Sequence, residues 1–431
     1  MNGYWKIATG TLSAARRYTA VAAILGFSMT SLLRCSDAEN DNTALLAALA
    51  ASGGCPTYNW GLPSNIPSPV VPSDNCQTDA KVEVGRYLFY DKALSRDESM
   101  SCASCHLQSR AFTDGKDRPR GIAHDSYPTG EQHARNAQHL SNAAYHTKIT
   151  WNNPLLDTLE VQARVPMFAE SGPHSIVELG LQDQSYIQKL ENDGVYREAF
   201  QKAFDGQINE QNVRFALAAF QRSLMSFNSD YDKFTRKEGN LSASAYRGFE
   251  VFNGETAECF HCHGGFNFTD TSLHSNSGAV EFQYHNNGLY SDTEYTSLAT
   301  KGVEDITAQS TDRGKFRAPS LRNIALTMPY FHDGSVTCTS PPADPTNKTA
   351  MENCAREALT KIVDMYRAGG DAKKRGQTPG AAVDTTLIRP FTISDSDRDD
   401  MVEFLISLTD WDFTSKEEFS NPFPANPRFG P

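Results

Sequence analysis

Beyond residue 33 the 431-residue chain has no apolar run long enough to cross a membrane. Positive charge is in deficit: 40 Lys and Arg face 52 Asp and Glu, a net charge of −12. That argues against nucleic acid as a partner, which needs a basic surface, and is compatible with docking a basic protein. Strand-like alternation is scarce, whereas helical periodicity is common. With 21% charged and 39% hydrophobic residues the composition is that of a globular protein, not of a disordered one.

The chain opens with Lys6, Arg16 and Arg17, followed by a mostly apolar run from Tyr18 to Leu33. Sixteen residues are short for a span, so 1–34 reads as a secretion signal. Cys35 stands where a lipidated cysteine could stand, although Arg34 is a poor residue before one. Residues 35–80 are polar and Pro-rich, with Pro63-Ser64-Asn65-Ile66-Pro67-Ser68-Pro69 among them, and read as a linker or wrapping segment.

Nine cysteines are present. Four belong to two copies of one pattern, Cys102-Ala103-Ser104-Cys105-His106 and Cys259-Phe260-His261-Cys262-His263. C-x-x-C-H is the attachment signal for a c-type haem. The thiols form thioethers to the porphyrin, and His106 and His263 are placed to ligate iron. One CxxC could be a redox pair or half a zinc site; two copies with His at the same offset point to two covalent haems. Cys55 and Cys76 flank a Pro-rich loop, and Cys338 and Cys354 flank another insertion. Each pair is a disulfide candidate, which needs an oxidising compartment. In c-type cytochromes haem attachment is also completed outside the cytoplasm. A periplasmic or outer-surface location is therefore expected.

A related pattern precedes each haem motif: Gly85-Arg86-Tyr87-Leu88-Phe89-Tyr90-Asp91, and Arg247-Gly248-Phe249-Glu250-Val251-Phe252. This suggests an internal duplication. Val213, Leu217, Phe220, Leu224 and Phe227 share one helix face, as do Leu359, Ile362 and Tyr366. Ser394 can cap a helix with Asp397 at its third position, with Met401, Leu405 and Leu408 as the buried stripe. The expected fold is mainly α: two cytochrome c-like haem domains, 81–235 and 236–431, packed face to face with the haems toward their interface.

The chain from about Val82 to Asp410 resembles the bacterial di-haem cytochrome c peroxidase and MauG family. The resemblance rests on Leu88-Phe89-Tyr90-Asp91, the first haem motif, Ala111-Phe112-Thr113-Asp114-Gly115, Arg135-Asn136-Ala137 and Leu159-Glu160-Val161-Gln162-Ala163. It is strongest in Phe316-Arg317-Ala318-Pro319-Ser320-Leu321-Arg322-Asn323 and in Ala325-Leu326-Thr327-Met328-Pro329-Tyr330-Phe331-His332-Asp333-Gly334. The resemblance implies that Trp151 relays electrons or holes between the haems. It implies a Ca2+ site of Asn136 with the carbonyls of Thr327 and Pro329, a plausible hard-oxygen shell. It puts Gln162 and Pro166 in the pocket of the first haem. Its acid–base glutamate matches Glu178 in Val177-Glu178-Leu179-Gly180. The segment after Pro166 is longer here, however, and offers Glu170 as the alternative. Burial beside haem would raise such a carboxyl's pKa and suit it to moving protons.

Two positions separate the subfamilies. Where peroxidases of the family place a distal His, this chain has Pro128, with His124 and His133 near but out of register. The first haem is thus expected to be five-coordinate. The second haem's axial ligand falls in Asp364-Met365-Tyr366-Arg367-Ala368-Gly369-Gly370, and the Gly-Gly register matches Tyr366 rather than Met365. A tyrosinate is anionic and hard and stabilises oxidised iron. The chain is most similar to the methanobactin-associated MauG-like group, MbnH. That resemblance implies a bis-ferryl state formed with hydrogen peroxide. It implies oxidation of a partner protein's tryptophan to kynurenine, and the partner can bind copper. The alternatives are a peroxide-detoxifying peroxidase fed by a small cytochrome or copper protein, and a plain electron-transfer cytochrome. His261 is expected to face solvent, His285 to be a hydrogen-bonded structural residue, and His332 to orient groups near the haem propionates or Trp151.

Overall fold

Two helix pairs, one for each haem motif, carry the architecture. The computed structural model describes residues 54–124, 126–168, 177–277 and 283–431. The signal segment, Cys35 and Glu170 lie outside them. Helix α1 (Asp79–Tyr90) starts at Thr78, whose side chain accepts from the Lys81 N–H. It packs against α2 (Glu210–Ser223), capped by Asn209. Helix α3 (Ala243–Phe252) packs in the same way against α5 (Asp395–Ile406). α4 (Lys348–Arg367) lies against α5.

Both principal pairs cross at a glycine. A Cβ on Gly85 would lie 1.9 Å from the carbonyl oxygen of Ala216, and one on Gly248 would lie 1.9 Å from that of Asp400. Only a residue without Cβ lets the two backbones touch there. These glycines belong to the two related patterns that precede the haem motifs. The likeness of the two patterns therefore has a packing basis: the helix before each motif docks through its glycine onto a later helix.

The cap at Ser394 forms as expected. Its hydroxyl accepts from the Asp397 N–H, and the Asp397 carboxylate reaches back to the Ser394 N–H. Met401, Leu405 and Leu408 are buried. The face from Val213 to Phe227 needs correction, because α2 stops at Ser223 and Phe227 lies beyond it. The next backbone groups find side-chain partners instead. Ser226 N–H donates to Asn142 Oδ1 at 2.8 Å, and Asn228 N–H to Asp410 at 3.1 Å. Phe227 then packs with Tyr145 and Met225.

Sheet is minimal: Tyr284–His285 pairs antiparallel with Phe316–Arg317. The joint between the halves is fastened by a buried ion pair, Arg322 Nη1 to Asp232 Oδ2 at 2.9 Å, with the guanidinium over the Phe227 ring. The chain's end returns to the first half. Ser101, just before the first haem motif, donates to the Gly430 carbonyl at 2.7 Å, and Arg428 pairs with Asp91. Disulfides join Cys55 to Cys76 and Cys338 to Cys354. No helix among the described residues is long and apolar enough to cross a membrane.

Candidate haem centres and the wall between them

Each C-x-x-C-H runs through a short 3-10 turn, Cys102–Ser104 in one case and Cys259–His261 in the other, and each opens onto its own cavity. None of the four cysteines is in a disulfide, which leaves their sulfurs for thioether bonds. His106 Nδ1 lies 2.7 Å from the Phe112 carbonyl, and His263 Nδ1 lies 3.2 Å from that of Phe268. A carbonyl only accepts, so Nδ1 carries the proton and Nε2 is left as the metal-binding atom. Burial holds both imidazoles below their ordinary pKa, in the neutral form that iron takes.

The first cavity is lined by Gln162, Pro166 and Glu178, with His133 among them. His133 Nε2 is 3.5 Å from Glu178 Oε1. Their side chains keep 19% and 30% of their exposure, so water reaches this pair. Pro128 is exposed and His124 packs on Tyr127; neither lines the cavity. The sequence register thus excludes His133, while the fold brings it in by a different path. The loop returning from Arg120 pairs with Gln132, and His133 N–H bonds the Pro119 carbonyl.

The second cavity is lined by Leu359, Ile362 and Tyr366 on one face of α4, with Met401 and Leu405 from α5. Met365 is buried but does not line it. Tyr366 Oη has Asn287 Nδ2 at 3.4 Å, and burial raises its phenol above the ordinary value. Metal coordination acts in the opposite direction and deprotonates such a group. His285 lines the same cavity and bonds Asp270 Oδ2 at 2.5 Å. His261 keeps 44% of its side-chain exposure.

Trp151, Asn136, Gln138, His139 and Arg317 line both cavities, so they form the wall between the two haem motifs. Trp151 is buried and its Nε1–H donates to the Asn136 carbonyl at 2.9 Å. The Asn136 amide nitrogen is spent on the carbonyls of Lys116 and Asp117, at 2.7 and 3.1 Å, which leaves its oxygen as the side chain's acceptor. Thr327 and Pro329 line the second cavity with it. His332 is stacked on Phe316, with ring centroids 3.6 Å apart, and its carbonyl accepts from the Asn136 N–H at 2.6 Å.

Arg317, His139 and His146 carry no spacing signal in the sequence. Arg317 is buried with its Nε unbonded, held by Gln138 and by His146 Nδ1 at 3.4 Å. Burial lowers the guanidinium to about 10. Burial also takes His139 down to about 4, and burial with Arg317 nearby holds His146 well below its ordinary value. Among the described residues no carboxylate pairs with this buried cation, which calls for an anion. The carboxylates of a porphyrin meet that need. With the cysteine sulfurs, the neutral imidazoles and apolar walls, the residues fit two covalent haems.

A family model described as di-haem cytochrome c peroxidase matches residues 79–240. The cytochrome-c peroxidase IdrP1 of Denitromonas iodatirespirans is 30% identical over 383 residues, covering 84% of this chain and 89% of that protein. The chain belongs to the di-haem cytochrome c peroxidase and MauG family. The methylamine utilization protein MauG of Methylophilus methylotrophus is 31% identical, covering 68% of this chain and 80% of that one. The crystal structure of a MauG-like protein associated with microbial copper homeostasis is 37% identical. It covers 85% of this chain and all of that one, with a TM-score of 0.73. This family membership makes the chain a peroxidase-type oxidoreductase with two c-type haems and a fold of two cytochrome c-like domains. Its members use hydrogen peroxide together with a partner protein or an electron donor.

Proposed function

We propose that the protein uses hydrogen peroxide to oxidise a tryptophan of a partner protein, on the way to kynurenine, outside the cytoplasm. The observation that carries this reading is Tyr366 on the wall of the second cavity, with Met365 turned away from it. A phenolate there favours oxidised iron, which suits a centre that holds oxidising equivalents rather than one that waits reduced. Likeness to a copper-homeostasis protein supports a copper-binding partner. Domains 81–235 and 236–431 would each hold one haem.

Haems bound through these residues would hold the two oxidising equivalents that hydrogen peroxide delivers. The rest falls to the chain. Glu178 would take the proton from one peroxide oxygen and return it to the leaving oxygen. Gln162 and Pro166 would limit where peroxide sits. Glu170 is the alternative acid–base group. Trp151 would carry electrons across the shared wall, its N–H fixed on Asn136. A Ca2+ held by Asn136 Oδ1 and the carbonyls of Thr327 and Pro329 would brace that wall, a hard-oxygen set. Among the described residues no group of three His, Cys, Asp or Glu side chains offers a metal site, so such an ion would rest on carbonyl and amide oxygens.

His133 favours a second reading, a peroxide-detoxifying peroxidase whose first haem can acquire a distal histidine. The test is a pair of variants. Tyr366→Phe should change the spectrum of the second haem, and Met365→Leu should not. The reverse pattern would sink the proposed reading.

A further inference from the structure

The wall residue Trp151 continues outward into an aromatic cluster. Trp151, Tyr295 and Phe316 are buried together, and Tyr290 packs against them, half-buried. The Tyr290 and Tyr295 rings stand edge to face, with centroids 5.7 Å apart. One apolar cluster thus joins Trp151 to Tyr290.

The two tyrosines differ in what their hydroxyls meet. A phenol that gives up an electron becomes strongly acidic, so a neutral radical forms readily only where a base can take the proton. Tyr295 Oη is buried and has no hydrogen-bond partner among the described residues. Tyr290 Oη donates to Asp333 Oδ2 at 2.5 Å. Asp333 is half-buried beside the exposed Ser335, whose N–H it also accepts at 3.1 Å. The carboxylate's second oxygen is thereby fixed, and the first is aimed at the phenol. Asp333 follows His332, which stacks on Phe316 of the same cluster, so the wall and the acceptor are held by one turn.

The geometry points to Tyr290 and Asp333 as the surface end of a relay that carries oxidising equivalents out from Trp151. In the step, one electron passes from the Tyr290 ring to an oxidised Trp151 indole. The Tyr290 hydroxyl proton passes to Asp333 Oδ2. Trp151 is restored, Tyr290 becomes a neutral radical, Asp333 becomes a carboxylic acid, and hydrogen peroxide is the ultimate oxidant. Tyr295 is a packing residue past which the electron moves. The inference rests on the proposed role of Trp151.

The di-haem protein, without any partner, is mixed with hydrogen peroxide and frozen on a time course for EPR, alongside near-infrared absorption. Wild type and Tyr295→Phe should give a neutral tyrosyl radical that narrows when the tyrosines are ring-deuterated. Tyr290→Phe should lose it, and Asp333→Asn should lose most of it, with the near-infrared band after peroxide intact in all four. An unchanged tyrosyl signal in Tyr290→Phe, its loss in Tyr295→Phe, or no tyrosyl signal in wild type despite the band would overturn the relay alone. Failure of wild type to form the band would overturn the reading beneath it.

Discussion

Gly248→Ala places a methyl carbon 1.9 Å from the Asp400 oxygen, 2.4 Å from its carbon and 2.8 Å from Met401 nitrogen. All three are backbone atoms of α5, so no side chain can swing aside. The helices must part by roughly 1.5 Å to restore contact distance in a close-packed interior. Overpacking of this kind costs ~1–3 kcal/mol, and the better helix propensity of Ala returns about 1 kcal/mol. A backbone clash belongs at the upper end, which leaves a net loss of about 1–2 kcal/mol. The damage should also be addressed. Phe252 at the end of α3, and Met401 and Leu405 on α5, line the second haem cavity. Gly85→Ala meets Ala216 and Phe220 instead, and Phe89 and Leu217 of that pair line the first. Chemical unfolding of each holoprotein, followed by each haem's EPR signal, should show Gly248→Ala disturbing the second haem and Gly85→Ala the first. Stability equal to wild type, or both variants disturbing both haems alike, would refute the packing account of the two glycines.

Glu178→Gln should slow the reaction of the resting protein with peroxide by ~10²–10⁴-fold while leaving both resting spectra unchanged, as stopped flow would read. Arg375 holds the Glu294 carboxyl at about 2, below its ordinary 4.5. A carboxyl depressed by folding stabilises the protein above its unfolded pKa and loses that stabilisation as pH falls through the folded one. Denaturant midpoints should therefore drop between pH 4.5 and 2, and Glu294→Gln should flatten that part of the profile. Chelation of Ca2+ followed by gel filtration should abolish the near-infrared band after peroxide, and Ca2+ alone should restore it. Persistence of the band would count against an ion at Asn136.

What could be read from the sequence was local. The haem motifs declare themselves by spacing, the Ser394–Asp397 cap by two residues three apart, and the Tyr366 face by helical period. The end of α2 is not legible locally, because Asn142 and Asp410, far off in sequence, take the backbone N–H groups that follow it. His133 entered the first cavity for the same reason: a returning loop, not a register, places it. Arg317 of the wall meets His146 of the first cavity across 171 residues of sequence, which no spacing encodes. The glycines at 85 and 248 were visible as parts of two similar patterns, but their purpose appears only when the partner backbones are in place.

The most direct test is to add stoichiometric hydrogen peroxide to the fully oxidised protein. Near-infrared absorption and the ferric EPR signals of both haems are followed together. The account predicts a near-infrared band with both ferric signals lost, because the two centres share the oxidising equivalents across Trp151. No reaction until one haem is first reduced would contradict it and would turn attention to an electron donor.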